Sequence, residues 1–193
     1  MNIGVLALQG GFAEHIAALE KLGASVTELR KKDDLRAGLD GLILPGGEST
    51  VIGRLLNETG LFAPLRDLLD AGLPVYGTCA GMILLAKKIV DEPAVYFGAI
   101  DVSVRRNAYG RQLGSFAATA RFDGIGEIPM TFIRAPYIEA AGAGVAVRAV
   151  VDGHIVAAEC GSVLVTSFHP ELTDNLRVHR YFLNKIEARE ACA

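Results

Sequence analysis

With 193 residues, of which 51% are hydrophobic and 21% charged, the chain can bury the core of a single domain, expected to span residues 1–193 with a frayed tail after about Glu187. Its net charge of −3 and the isolated pairs Lys31-Lys32 and Arg105-Arg106 provide no basic surface for neutralising phosphates, which argues against nucleic-acid binding. Three cysteines, Cys79, Cys160 and Cys192, show no C-x-x-C spacing, so neither a disulfide framework nor a metal site is expected, and a reducing, cytoplasmic setting fits best. The first residues enter the apolar run NIGVLAL without a basic leader, and no stretch of 18 apolar residues occurs, so nothing marks secretion or membrane insertion.

Asn2–Leu8 reads as a strand buried on both faces, broken by Gln9-Gly10-Gly11. Phe12, Ile16, Leu19 and Leu22 recur at helical spacing, and Gly23 supplies a stop. Ser25–Leu29 and Leu42–Leu44 read as further strands, so the chain opens in an α/β pattern. Pro45-Gly46-Gly47-Glu48-Ser49-Thr50 then leads into a helix carrying Val51, Ile52, Leu55 and Leu56. A glycine-rich loop opening a helix can present backbone N–H groups to an anion, although a Pro-Gly-Gly turn with a Ser or Thr cap is also ordinary punctuation. The Gly-Lys-Ser/Thr ending of a Walker loop is missing.

After a helix over Leu61–Leu69, Pro74–Tyr76 reads as a short strand running into Gly77-Thr78-Cys79-Ala80-Gly81 and a helix from about Ala80. A Gly-x-nucleophile-x-Gly turn needs small neighbours because the backbone bends sharply around its central residue, and it places Cys79 at a helix N-terminus. A buried, inert cysteine at a strand end is the alternative reading. The middle, Asp91–Phe122, looks less regular and contains the polar stretch Arg105–Gln112. Strand signals return at Met130–Arg134, Val145–Val151, His154–Cys160 and Ser162–Phe168, with an antiparallel portion joined at Gly161. Thr173 or Asp174 can cap a last helix whose Leu176, Leu183 and Ile186 form an apolar face. The expected fold is a three-layer α/β architecture, an open and largely parallel sheet flanked by helices.

A nucleophilic cysteine needs a base and a group that orients the base. His15 and His179 fall inside helices, where partly exposed positions are expected, and His154 begins a strand. His169 follows an apolar strand, at the kind of strand end where active sites of open α/β sheets assemble. Pro170 favours an extended His169, and residues two apart in an extended segment share a side, so His169 and Glu171 are expected to project together. Ala80 N–H and Gly47 N–H are candidate oxyanion donors. The residues alone lead to a cysteine acyl-transfer site acting on an amide or ester, with no substrate named.

Gly77-Thr78-Cys79-Ala80-Gly81 with the distant His169-Pro170-Glu171 resembles the class I glutamine amidotransferases, whose fold is flavodoxin-like. Leu8–His15, Pro45–Thr50, Arg106–Gln112 and Phe132–Pro136 resemble more narrowly the glutaminase subunits of pyridoxal 5′-phosphate synthase, the PdxT family, over about Met1 to Ile186. This resemblance implies hydrolysis of L-glutamine without a cofactor, with Cys79 as nucleophile, His169 as base and Glu171 as orienting group. It places Gly47, Glu48, Ser49, Arg106, Ile133 and Arg134 around the glutamine. It also implies a partner, the (β/α)₈ barrel synthase subunit of vitamin B6 biosynthesis, which receives the ammonia and activates a weakly active glutaminase. Rival readings are a glutaminase of the histidine or purine pathway, a cysteine hydrolase of the PfpI type, and a catalytically silent partner subunit.

Overall fold

The computed structural model describes residues 1–106 and 114–190. Strands β1 (Asn2–Leu6), β2 (Ser25–Leu29), β3 (Gly41–Leu44) and β4 (Val75–Thr78) alternate with helices α1 (Phe12–Lys21), α2 (Ser49–Glu58) and α3 (Phe62–Asp70). Helix α4 (Ala80–Leu85) runs directly into β5 (Ala86–Ile89). There follow β6 (Ile100–Arg105), β7 (Ser115–Phe122), β8 (Gly126–Ile133), β9 (Tyr137–Ala141), β10 (Ala146–Val151), β11 (His154–Cys160) and β12 (Val163–Thr166), and the last helix is α5 (Arg177–Glu190). The main path of the sheet is β2-β1-β3-β4-β12-β11-β10-β7-β8, with β9 joining β11 to β6 and β6 pairing with β5. Strands β2, β1, β3, β4 and β12 pair in parallel. The pairs β12-β11, β11-β10, β10-β7 and β7-β8 are antiparallel.

Both faces of the parallel half are covered, which explains why its strands are apolar without alternation. Leu42 and Leu44 point to a core shared with Ile52 and Leu56 of α2, Leu65 of α3 and Met82 of α4. Ile43, with Ile3 and Val5, points to a second core shared with Leu19 of α1 and Phe182 and Ile186 of α5. These are the three layers expected.

Three expectations change. The middle of the chain is only partly irregular: residues 91–99 form no helix or named strand, but β6 and β7 fall within Asp91–Phe122 and β5 and β9 flank it, all four unmarked in the sequence. Strand β7, SFAATARF, is poor in the β-branched residues that advertise a strand, and it is held by pairing with β8 along its full length. Strand β8 starts at Gly126, four residues before the expected Met130. Helix α5 continues to Glu190, beyond the Glu187 at which a frayed tail was expected. Asn107–Gln112, part of the stretch that pointed to one family, lies outside the described residues.

Register positions the site. Leu44 on β3 and Val165 on β12 are both opposite Gly77 of β4, and Thr166 is opposite Thr78. The C-terminal ends of three neighbouring parallel strands are therefore level. The loops that leave them, Pro45–Glu48, Cys79 and Ser167–His169, open on one crevice.

Candidate active site

Cys79 occupies the turn between β4 and α4 with φ 48° and ψ −100°, a region that residues with a side chain rarely enter. Its N–H donates to the carbonyl of Thr166 at 2.8 Å, and its carbonyl accepts from Ile83 N–H at 3.2 Å, so both neighbouring elements pin the bend. The flanking glycines are required sterically. A Cβ on Gly77 would lie 2.7 Å from the Gly81 carbonyl group and from Leu85, and one on Gly81 would overlap the carbonyl oxygen of Leu44. The turn is a nucleophile elbow in geometry as well as in spelling.

His169 leaves β12 through Ser167 and Phe168, and its N–H donates to the carbonyl of Thr131 on β8 at 2.8 Å. Its imidazole lies within hydrogen-bonding reach of Cys79, and its Nδ1 is 2.7 Å from Glu171 Oε1. Glu171 comes close by a different route from the one expected. Pro170–Leu172 forms a 3₁₀ turn, so a tight turn rather than extended alternation brings carboxylate and imidazole together. Burial opposes a charged imidazole at His169, but the hydrogen bonds and charges of Cys79 and Glu171 outweigh it and raise its pKa from 6.5 to about 10. Burial would likewise raise the Glu171 carboxyl, and the neighbouring His15 and His169 reverse this, leaving its pKa below the usual value.

Opposite Cys79, the loop after β3 is packed tightly. Gly46 has no room for a side chain, because a Cβ there would overlap the His169 ring. The Gly46 carbonyl accepts from Gly11 N–H at 3.0 Å, and Glu48 N–H donates to Gln9 Oε1 at 2.8 Å. Glu48 occupies the N-cap position of α2 without a side-chain capping bond, and Ser49 is the first helical residue. The Ser49 hydroxyl is buried and has no hydrogen-bond partner among the described residues, as expected of a group reserved for a ligand rather than spent on a cap.

These groups border one cleft of about 290 Å³, at the small end of ligand pockets and suited to an amino acid. It is lined by Gly47, Glu48, Ser49, Cys79, Arg106, Ile133, Arg134, His169 and Glu171, all singled out in the sequence. Ala80 is not part of the lining and meets the site only through its position at the first turn of α4. Gln9, Glu14, Ile83 and Leu172 also line the cleft and were missed. Gln9 was readable only as part of a strand-breaking Gln-Gly-Gly and, with Glu14, of the Leu8–His15 block that carried the resemblance. Arg106 donates to Glu48 at 2.8 Å and to Glu92 at 3.2 Å. Arg134 sits at the end of β8 with φ 41°.

One side-chain expectation is wrong. His15 and His179 are not partly exposed but fully buried. His15 falls three residues after Phe12 and four before Leu19, and His179 three after Leu176 and four before Leu183, so both lie within their helices' apolar stripes. That spacing was the signal available.

Residues 5–188 match the SNO glutamine amidotransferase family. The chain belongs to this family. A curated relative, the pyridoxal 5′-phosphate synthase subunit PdxT of Streptococcus pneumoniae serotype 2 (strain D39), is 54% identical over 187 residues, covering 95% of this chain and 97% of the relative. The PdxT of S. pneumoniae strain Taiwan19F-14 matches to the same extent. Among solved structures, a glutamine amidotransferase superposes with a TM-score of 0.91 at 46% identity, covering 96% of this SNO-family chain and 98% of its own. PurLQS from Thermotoga maritima, at 17% identity and a TM-score of 0.67 over 95% of this chain and 97% of its own, shares the fold. No helix among the described residues is long and apolar enough to cross a membrane.

Proposed function

We propose that this chain hydrolyses L-glutamine to L-glutamate and ammonia through Cys79, His169 and Glu171, and that it does so as the glutaminase subunit of a pyridoxal 5′-phosphate synthase. The observation that carries the reading is that Cys79, His169 and Glu171 line one amino-acid-sized cleft, with Cys79 and the His169 ring both packed against Gly46 and the imidazole hydrogen-bonded to the carboxylate. The His169 Nδ1–H donates to Glu171 Oε1, which leaves Nε2 to exchange a proton with the Cys79 thiol. The sulfur attacks the side-chain amide carbon of glutamine and a C–S bond forms. Negative charge gathers on the amide oxygen, for which the Ala80 and Gly47 N–H groups are the candidate donors. As the tetrahedral species collapses, the C–N bond breaks and His169 gives its proton to the leaving nitrogen. Ammonia departs and a thioester remains. Water, deprotonated by His169, cleaves the thioester and releases glutamate.

Glutamine is a zwitterion, and Glu48 and Arg106 stand beside each other in the cleft as a carboxylate and a guanidinium. Arg106 can pair with the substrate carboxylate, Glu48 with its ammonium, and Ser49 can offer its unpaired hydroxyl. The relatives' role as synthase subunits supports a (β/α)₈ synthase as the partner that consumes the ammonia. A partner is also chemically sensible, since ammonia released into neutral water is mostly ammonium, which has no lone pair with which to attack a carbonyl. The Gly46 carbonyl is tied to Gly11. Because the N–H of a trans peptide points away from the preceding carbonyl, docking that turned this peptide would redirect the Gly47 donor.

The test supplies glutamine labelled with ¹⁵N at its amide to the chain with and without synthase. Label in pyridoxal phosphate, and faster glutamine hydrolysis with synthase present, are expected. Glutamine left intact in both mixtures would refute the reading. A PfpI-type hydrolase would leave glutamine unreacted, and a silent subunit would support product formation from ammonium only.

A further inference from the structure

The triad chemistry leaves two buried imidazoles unused, His15 on α1 and His179 on α5. Both are inaccessible to solvent, and neither lines the cleft. His15 Nδ1 lies 2.9 Å from His179 Nε2, and His15 Nε2 lies 3.1 Å from the Thr78 hydroxyl. The same Nε2 stands 3.4 Å from Glu171 Oε2, the oxygen that His169 does not use. Tyr76 turns an edge-on ring contact to each histidine. Two polar atoms of this cluster have no hydrogen bond of ordinary geometry among the described residues, Glu171 Oε2 and His179 Nδ1.

The placement of protons decides what the cluster does. If His15 carried its proton on Nδ1, its Nε2 lone pair would face a carboxylate oxygen. His179 Nδ1 would then be a buried N–H without an acceptor, and both features are costly. With the proton on His15 Nε2, the N–H meets the Thr78 hydroxyl at 3.1 Å, and Glu171 Oε2 stands 3.4 Å from the same nitrogen, a close polar contact rather than a hydrogen bond of ordinary geometry. His179 Nε2–H then donates to His15 Nδ1, and what remains unmet is acceptor capacity on His179 Nδ1 and Glu171 Oε2, a milder defect than a buried N–H without an acceptor. Both rings are neutral in this arrangement. The surroundings agree with that charge state. Burial lowers the His15 pKa most, Glu171 and Glu14 oppose it, and His169 adds to it, for a net lowering. Burial and His15 bring His179 down to about 3 against the pull of Glu171.

We propose that His15 is a positioning residue of the triad, a neutral imidazole steadied by His179 whose Nε2–H fixes the rear oxygen of Glu171 and so holds the carboxylate behind His169. The inference rests on the triad proposed above. It extends the line Cys79, His169, Glu171 through the second core to α5, and gives α1 and α5 a task beyond covering the sheet.

The test pairs kinetics with ¹⁵N-histidine NMR on the full chain, with synthase present for the kinetics. His15→Leu is expected to lower kcat for glutamine by about ten- to a hundredfold, the scale on which groups behind a ligand act, with little change in KM. It is also expected to bring the His169 titration down from about pH 10, because a loosened Glu171 stabilises the imidazolium less. His15→Gln, whose amide N–H reaches the Nε2 position, is expected to recover most of both. Wild-type spectra should show neutral His15 and His179, each protonated at Nε2. An Nδ1–H tautomer at His15 overturns the proposal, and so does a folded His15→Leu with unchanged kcat and unchanged His169 titration. Should His15→Leu not fold, the wild-type tautomers and His15→Gln decide. Should the wild-type chain hydrolyse no glutamine even with synthase, the assigned activity fails, and the NMR measurements still decide the positioning.

Discussion

At Cys79 the backbone is bent into a conformation that costs of order 1–3 kcal/mol in a residue with a Cβ, and the bonds from Cys79 N–H to Thr166 and from Ile83 to Cys79 hold it there. Glycine escapes that cost. Cys79→Gly and Cys79→Ala should both abolish glutamine hydrolysis, yet the glycine variant should unfold at higher denaturant, by about 1 kcal/mol relative to alanine. Equal stabilities would mean that the bend is not strained. His169 makes a second prediction. Its pKa rises from 6.5 to about 10 on folding, so the native state binds more protons than the unfolded state between those values. The stability it contributes is complete below about pH 6.5 and is lost as pH climbs through about 10. The buried His179 works on the acid side, since its pKa falls to about 3 and stability drops as pH is lowered from 6.5 toward that value. Unfolding free energy measured from pH 3 to pH 10.5 should therefore be dome-shaped. In Glu171→Gln the alkaline fall should begin at lower pH, and an unshifted alkaline limb would dissociate His169 from its carboxylate.

Between elements, the glycines mark where two backbones or a backbone and a ring touch. A Cβ on Gly81 overlaps the carbonyl of Leu44, which would push α4 off β3, whereas a Cβ on Gly46 overlaps only the His169 ring. Gly81→Ala is expected to cost about 1–3 kcal/mol of stability or more. Gly46→Ala should cost less stability and lose most activity, because the imidazole must turn away from Cys79. Thermal unfolding and glutamine turnover measured on both variants check this contrast. These are also the contacts that were legible beforehand. The Gly77–Gly81 spacing told where the chain must bend, the apolar run of β1 told that this strand lay buried on both faces, and the runs of β3 and β12 told that strands lay there. Strands β5, β6, β7 and β9 were not legible, because Ala86-Lys87-Lys88-Ile89 and the alanine-rich β7 owe their extended form to their partners. The histidines show the same limit at the site. The stripe positions of His15 and His179 were visible, but their contact joins residues 164 positions apart and follows only from α1 and α5 covering the same face of the sheet.

Across the whole molecule, the two halves of the sheet divide the work. The parallel half supplies Cys79 and the glycine loop, and the antiparallel half anchors His169 through the Thr131 carbonyl of β8. A carboxylate network locks β10 and β11 to α5: Glu159 accepts from Arg148 at 2.5 Å and from Tyr181 at 2.8 Å, with Lys185 at 3.4 Å. Cys79 and His169 thus ride on separately braced frames that meet at the β4–β12 pair. The synthase proposed as partner would reach both by docking at this end of the sheet, and sheltered delivery would carry ammonia from the cleft without contact with bulk water. This has a quantitative consequence for the proposed complex. With ¹⁵N-amide glutamine and an excess of unlabelled ammonium at neutral pH, sheltered transfer leaves the nitrogen of pyridoxal phosphate almost entirely ¹⁵N, whereas release and recapture dilutes it to the ratio of the external pool. Cys79→Ala in the same complex should make product from ammonium alone, with no label from glutamine. Diluted label in the wild-type reaction would show that the ammonia passes through solvent, and the partner would then serve activation rather than delivery.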